Sequence, residues 1–229
     1  MRTPSTSTTL RLGYLALAAT DTWLSGATGQ RGRRARRVTK PLLMPTLAAS
    51  LVTDPRAAGS PLLPTTVAAQ AAGWGGDVAL LGEGTRSFLA GAGAIGVGHL
   101  AYVAGFLRHR DPSPGHRGLG VRAVAAAWLA TAPTAALVAG RRQGGLGLPV
   151  LGYATVLWAT AAAATRLGPG VGADARRLST WGALLFVVSD AALAVGTFAL
   201  DEPPPSLERA VMATYTGAQL LLSEGAARA

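Results

Sequence analysis

Two aspartates of this 229-residue chain lie inside long apolar stretches. Asp77 lies in LLPTTVAAQAAGWGGDVALL (62–81), and Asp190 lies in LSTWGALLFVVSDAALAVGTFAL (178–200). Each stretch is about as long as a helix that crosses a bilayer. A carboxylate at that depth costs at least ~2.5 kcal/mol, so it needs a partner, a water-filled cavity or a function. Because packing alone does not explain such groups, we interpret both acids as functional.

The composition favours a membrane protein with several spanning helices. Only 14% of the residues are charged, against roughly 25% in a typical soluble domain. The net charge of +10 comes from arginines and one lysine, Lys40. Because these arginines lie between apolar runs, they indicate membrane topology and anionic headgroups as partners rather than nucleic acid. The absence of cysteine excludes disulfides, thiol catalysis and cysteine-based zinc sites.

The apolar pattern predicts an all-α, polytopic membrane protein, a bundle of about eight transmembrane helices around a central cavity. We expect one transmembrane domain over residues 1–229. The first apolar run also resembles a signal peptide, but Asp21 and Trp23 stand where small cleavage-site residues belong, which favours a retained helix. The predicted helices cover about 10–24, 40–53, 62–81, 87–107, 119–139, 148–165, 178–200 and 207–223.

Prolines and glycines predict local features of two of these helices. Pro41 suits the start of helix 2, and Pro45 would kink that helix or leave backbone carbonyls free. Four glycines of helix 4 indicate close contact with neighbouring backbones, namely Gly91, Gly93, Gly96 and Gly98.

The densest arginine cluster lies in the predicted loop 25–39, which favours the cytoplasmic side for that loop. Arginines in the predicted loops 108–118 and 166–177 fall on the opposite side by alternation, so both orientations stay open. We expect an integral protein of the bacterial inner membrane, with its cavity opening on the side of Arg31–Arg37.

Alternating helices bring the two acids to the same side of the membrane. Helices 3 and 7 run in the same direction, with Asp77 near the end of one and Asp190 in the second half of the other. Helices 2, 4 and 8 begin on that side. We therefore expect Asp77 and Asp190 to face one cavity and to act as a pair.

Several further polar side chains lie in the predicted helices and are expected to turn away from lipid. Each has a simpler alternative: Lys40 could reach the headgroups, His99 could be a structural histidine, and the others could hydrogen-bond neighbouring helices. We expect Lys40 to hold a substrate phosphate at the mouth of the cavity. The candidate substrate-binding residues are Lys40, His99, Tyr102, Ser189, Tyr215 and Gln219.

Five motifs occur in order along the chain: TKPLLMP at Thr39–Pro45, GD at Gly76–Asp77, GHLAYVAGF at Gly98–Phe106, GALLFVVSDAALA at Gly182–Ala194 and MATYTGAQLLL at Met212–Leu222. Together they resemble the YhhN/TMEM86 family of integral-membrane lysoplasmalogenases. The two most specific motifs are GALLFVVSD and MATYTGAQ. The resemblance runs from predicted helix 2 to predicted helix 8.

The resemblance implies hydrolysis of the vinyl ether bond of lysoplasmalogens, so the expected partner is a lysophospholipid substrate. The products would be a fatty aldehyde and glycerophosphocholine or glycerophosphoethanolamine. Two membrane aspartates are considered catalytic in this family, and they correspond to Asp77 and Asp190. A protonated carboxylic acid can supply a proton to carbon, while an ionised one can stabilise an oxocarbenium ion and activate water. We expect no metal or organic cofactor, and either aspartate could be the acid.

Intramembrane acids and broken helices are also typical of a secondary or proton-coupled transporter, which is the alternative interpretation. A short likeness between GDVAL (76–80) and SDAAL (189–193) would fit the internal repeats of that class. A non-catalytic membrane scaffold is a third possibility. Aldehyde release from a lysoplasmalogen without any ion gradient would separate the enzyme from the transporter.

Overall fold

The computed structural model describes residues 5–113 and 119–229. In these residues the chain forms eight α-helices, which confirms the prediction of an all-α bundle. A π-helical turn, Val195–Ala199, directly continues the seventh helix. The helices are α1 (Thr6–Ser25), α2 (Gln30–Val52), α3 (Leu63–Ala79), α4 (Gly84–Arg108), α5 (Leu119–Arg142), α6 (Gly147–Ala164), α7 (Ala173–Ala194) and α8 (Pro205–Ala227).

Within the described residues, four helical segments are long and apolar enough to cross a membrane. They are Gly84–Arg108, Leu119–Arg142, Gly147–Ala164 and Ala173–Ala199. The helix α3 has only 17 residues, and α2 begins with five arginines in eight residues (30–37). That all eight helices span the membrane therefore stays a prediction.

The prediction that residues 25–39 form a loop is wrong. The helix α2 begins at Gln30 instead of Lys40, so the arginine cluster lies in its first turns and Pro41 lies inside the helix. Arginine, alanine and glutamine favour helices, and their side chains can reach water from a helix that extends beyond the apolar layer. The apolar run marks the membrane boundary here, whereas the helix continues past it.

The same effect shifts other predicted boundaries. The helix α7 begins at Ala173 rather than residue 178, which places Arg176 and Arg177 in its first turns. The helix α8 ends at Ala227 rather than residue 223. Of the predicted loop 108–118, residues 114–118 lie outside the described residues.

Specific contacts show how the ends of α1, α2, α3 and α8 are arranged. Ser60, between α2 and α3, donates a hydrogen bond of 2.6 Å to the carbonyl of Ala226 at the end of α8. At the other end of the bundle, a Cβ on Gly26 would lie only 2.8 Å from the carbonyl of Pro205. The end of α1 therefore lies against the start of α8, as an antiparallel arrangement requires.

Small residues let α3 and α4 pack closely. A Cβ on Gly98 would lie 2.9 Å from the carbonyl oxygen of Ala69, and a Cβ on Gly91 would lie 3.2 Å from that of Gly76. Larger side chains at these positions would push the helices apart. The prediction of close contact with a neighbouring backbone is confirmed at Gly91 and Gly98, whereas a Cβ on Gly96 would lie 3.7 Å from the ring of Tyr153 and a Cβ on Gly93 would meet no atom within 4 Å.

The two prolines of α2 create a contact with α3. The carbonyl of Pro41 would normally accept from the N–H of residue 45, but that residue is Pro45 and has no N–H. Trp74 of α3 instead donates its Nε1–H to this carbonyl at 3.0 Å. The predicted free carbonyl is thus present, and it joins α2 to the helix that carries Asp77.

A charged network fastens the end of the bundle opposite Gly26. Asp54, between α2 and α3, pairs with Arg11 and Arg56, each at 2.6 Å. Glu224 of α8 pairs with Arg11 at 2.7 Å, with Arg56 at 3.4 Å and with Arg228. The guanidinium of Arg56, together with that of Arg11, holds the pKa of the Asp54 carboxyl well below its usual range. The network connects three helix ends through one buried carboxylate.

Asp54→Asn is expected to destabilise the fold by about 1.5–3 kcal/mol at pH 7, the range for hydrogen bonds to charged groups. Because the folded pKa of Asp54 is below its unfolded value, its contribution is complete above the unfolded pKa of about 4 and is lost as the pH falls below it. Thermal unfolding in detergent at pH 7, 5 and 3 measures this difference.

The matched control is Asp201→Asn, which removes an exposed pair with Arg142 and should change stability little. The difference in thermal stability between wild type and Asp54→Asn should become smaller between pH 5 and pH 3. A gap that stays constant over this range would show that the ionised form of Asp54 does not provide the stability.

Candidate active site

A cavity of about 420 Å³ lies where α1, α3 and α7 end and where α2, α4 and α8 begin. Asp77 and Asp190 both line this cavity, which lies toward one end of the bundle. Arg36 from the arginine-rich first turns of α2 also lines it. The predictions made from helix alternation are therefore confirmed: the cavity lies on the side of the arginine cluster, and both acids line it.

Asp77, near the end of α3, is only 2% exposed. Its Oδ1 lies 3.4 Å from the Nζ of Lys40 on α2. Its Oδ2 accepts a hydrogen bond of 2.7 Å from the hydroxyl of Tyr215 on α8. Three helices thus hold this carboxylate, and it has a cation directly beside it. Lys40 is itself buried, so it does not extend to the headgroups.

Asp190, near the end of α7, has a different environment. The hydroxyl of Tyr153 on α6 donates a hydrogen bond to its Oδ2. Among the described residues Asp190 has no ion-pair partner, in contrast to Asp77. The two carboxylates of one cavity therefore differ in charge environment, which is what a division into acid and base requires.

The model of the YhhN family matches residues 35–226, which is most of the chain. The chain belongs to the YhhN family. It is also 34% identical over 153 residues to human "Lysoplasmalogenase TMEM86B", an alignment that covers 67% of this chain and 59% of that relative. The chain thus spans about three fifths of the relative's length. No solved structure matches it significantly.

The four apolar segments of the described residues support a membrane location for the YhhN chain. Within the described residues, no three His, Cys, Asp or Glu side chains are grouped as a metal site would need. That the YhhN chain works without a metal or cofactor stays a prediction.

The structure brings three of the predicted substrate-binding residues of this YhhN chain to the cavity: Lys40, Ser189 and Tyr215. The hydroxyl of Ser189 donates to the backbone carbonyl of Val211 at 2.9 Å, which joins α7 to α8. Tyr215 donates to Asp77. Both hydroxyls therefore already have protein partners, and Tyr215 acts directly on a candidate catalytic group.

The other three predicted residues, His99, Tyr102 and Gln219, do not line the cavity. Tyr102 donates to the Oε1 of Gln219 at 3.1 Å, and the Nδ1 of His99 lies 3.2 Å from the hydroxyl of Thr160. Phe186 lies between this group and the cavity, with its ring centroid 4.4 Å from that of His99. These polar side chains form a layer behind the cavity wall.

Sequence reasoning missed Arg36, which lies one turn before Lys40 on the same face of α2. Its Nη2 lies 3.2 Å from Oδ2 of Asp21, a fully buried residue of α1 that also accepts from Thr39 at 2.6 Å. This pairing fixes the guanidinium at the cavity. In a loop, the four-residue spacing between Arg36 and Lys40 has no meaning; in a helix, it places both side chains on one face.

Tyr153 was also missed, although it donates to Asp190. A tyrosine in an otherwise apolar helix is an ordinary core or interface residue, and its spacing in α6 gives no link to a carboxylate on α7. The only available signal was its hydroxyl at membrane depth, which needs a hydrogen-bond acceptor.

Proposed function

We propose that this YhhN-family protein hydrolyses the vinyl ether bond of lysoplasmalogens in the membrane, releasing a fatty aldehyde and a glycerophospho-base. The observation that carries the proposal is one cavity lined by two carboxylates, one paired with a cation and one hydrogen-bonded by a tyrosine. The name of the human relative supports the substrate class. A bacterial inner-membrane location remains part of this proposal.

Asp190 is the proposed acid because it has no described cation beside it. Its proton goes to the vinyl carbon that does not carry oxygen, which leaves an oxocarbenium ion at the carbon that does. Asp77, paired with Lys40, is the proposed base. It takes a proton from water as that water attacks the oxocarbenium carbon, which gives a neutral hemiacetal.

Collapse of the hemiacetal restores both groups. Asp190 takes the hemiacetal hydroxyl proton as the aldehyde forms, and Asp77 returns its proton to the departing glycerol oxygen. The cycle ends with Asp190 protonated and Asp77 ionised, as it began. The hydroxyl of Tyr215 donates to Asp77 and orients the carboxylate that handles water.

The substrate headgroup needs a cation at the cavity mouth, and we assign this role first to Arg36. Lys40 is already engaged with Asp77, whereas the guanidinium of Arg36 is held by Asp21 on one edge and keeps other N–H donors for an anion. Arginine is well suited to phosphate because it can donate two parallel hydrogen bonds.

Arg36→Gln is expected to raise KM by about 10-fold with little change in kcat, because a charge-assisted phosphate contact contributes in both ground and transition states. Arg37→Gln, at the next and exposed position, is the matched control and should behave like wild type. Steady-state kinetics with an alkenyl lysophosphocholine measures both. A large fall in kcat with unchanged KM for Arg36→Gln would contradict the headgroup role.

Aldehyde release by the protein in lipid nanodiscs, with no ion gradient, tests the proposed function. The panel contains 1-alkenyl, 1-alkyl and 1-acyl lysophospholipids with choline or ethanolamine headgroups. Cleavage of the alkenyl lipids alone is the expected result. Release of fatty acid from the acyl lipids would indicate an ester hydrolase, and proton-coupled uptake without any hydrolysis would favour a transporter.

A further inference from the structure

A second, apolar pocket of about 80 Å³ adjoins the active-site cavity. It lies between α4, α6 and the end of α7. The two spaces share part of their lining, so they meet at one of the two candidate catalytic carboxylates. The shared residues are Leu80, Phe88, Ile95, Asp190, Leu193 and Thr197.

The two spaces differ in chemistry. The first has Arg36, Lys40 and Asp77 along its lining. The second is lined mainly by hydrocarbon; of its polar side chains, Asp190 and Thr197 also line the first space, and Tyr153 donates to Asp190. A molecule that fills both would therefore have a charged end, an apolar end and its junction at Asp190.

The apolar pocket reaches the outer face of the bundle. Leu89 and Pro149 line it and are both exposed, Leu89 by 39%. On a membrane protein, that outer face contacts lipid chains. The pocket is thus a side opening between the candidate catalytic carboxylate Asp190 and the outer face of the bundle.

The π-helical turn Val195–Ala199 shapes this opening. It places Phe198 against Phe88 of α4 in an edge-to-face contact, with ring centroids 5.7 Å apart. Thr197 from the same turn lines both spaces. Such turns often occur at functional sites.

We propose that this side opening receives the single hydrocarbon chain of the substrate, with the headgroup at Arg36 and the reacting carbons at Asp190. The inference rests on the proposed function, which supplies a ligand with one charged end and one chain. The small volume holds only the first part of the chain, and the remainder lies along the outer face beyond Leu89. The geometry sets the orientation in which Asp190 meets the vinyl ether.

The test compares Ala92→Phe, which fills the pocket, with Ala90→Phe, which adds the same ring at an exposed position of the same helix. The first probe is 1-O-hexadecyl-glycerophosphocholine, an alkyl ether without the reacting double bond. The second is glycerophosphocholine, which has no chain. Binding of both is measured in nanodiscs.

Ala92→Phe should weaken binding of the alkyl probe at least ~10-fold, the loss expected when two or more methylenes are excluded from an apolar site. Its binding of glycerophosphocholine should equal that of wild type, which also shows that the variant is folded. Ala90→Phe should match wild type for both probes. Equal binding of the alkyl probe by Ala92→Phe and Ala90→Phe would overturn the inference.

A photoreactive alkyl lysophosphocholine, with its diazirine on an early carbon of the chain, tests wild-type protein directly. Labelling is expected in residues 88–95 and 149–153. Labelling of Trp181, Leu184, Leu185 or Val188, which line a separate apolar surface groove on α7, would overturn the assignment. If the labelling is as expected but no vinyl ether is cleaved, the proposed function fails while the chain site stands.

Discussion

Asp77→Asn and Asp190→Asn should each lower turnover by at least ~100-fold, the usual scale for a positioned acid or base. Asparagine is nearly isosteric with aspartate but cannot release or take up the catalytic proton. Asp190→Asn removes the proton donor from the first step, and Asp77→Asn removes the acceptor for the attacking water. The hydroxyls of Tyr153 and Tyr215 can still donate to the amide oxygens, so the local structure should persist.

Single-turnover kinetics with an alkenyl lysophosphocholine measures the two losses. Asp201→Asn is the control, because this aspartate pairs with Arg142 at the surface and its side chain is 84% exposed. Size-exclusion profiles and melting temperatures show whether each variant is folded. Near-normal turnover in either Asp77→Asn or Asp190→Asn would make that aspartate structural and would end the acid–base assignment.

The two aspartates could be found from sequence because their signal is energetic. Asp77 and Asp190 stand in apolar stretches where an unsatisfied carboxylate is costly, and helix alternation then gives their side of the membrane. Neither step needs side-chain geometry. The end of the bundle at which the cavity lies could be predicted for the same reason.

The remaining geometry could not be derived in this way. Polar stripes predict that side chains such as His99, Tyr102 and Gln219 avoid lipid, but an inward face includes helix contacts as well as a cavity. Tyr102 bonds to Gln219 and the Nδ1 of His99 contacts Thr160 of α6, behind Phe186, while the Nε2 of His99 has no hydrogen-bond partner among the described residues. Helical periodicity predicts that a side chain faces the inside of the bundle. It does not predict whether that side chain lines the cavity or packs between helices.

Arg36 shows a second limit. A run of arginines after an apolar stretch favours a loop, whereas α2 begins at Gln30. The membrane edge and the helix end are set by different physics, namely transfer from water to lipid and backbone hydrogen bonding. Only the helix brings Arg36 and Lys40 to one face and lets Asp21 hold the guanidinium.

Lys40→Met is expected to lower kcat by roughly 10- to 100-fold, which is less than the loss of ~100-fold or more expected when the acid or base itself is removed. Its Nζ lies 3.4 Å from Asp77, so the substitution leaves a buried carboxylate without its cation. The ionised form of Asp77 then becomes less favourable, and fewer molecules hold a base ready for water. The position of Lys40 in the sequence instead predicts a contact with the substrate phosphate, and loss of that contact would mainly raise KM.

A double-mutant cycle separates the two roles of Lys40. If Lys40 acts through Asp77, then Lys40→Met combined with Asp77→Asn should be no slower than Asp77→Asn alone, because the charge that Lys40 stabilises is already absent. Lys40→Arg keeps a cation and should recover part of the lost turnover. If Lys40 contacts only the phosphate, its effect should persist in the Asp77→Asn background as an unchanged increase in KM. The same kinetics with Arg36→Gln provides the comparison, since that variant should raise KM in both backgrounds.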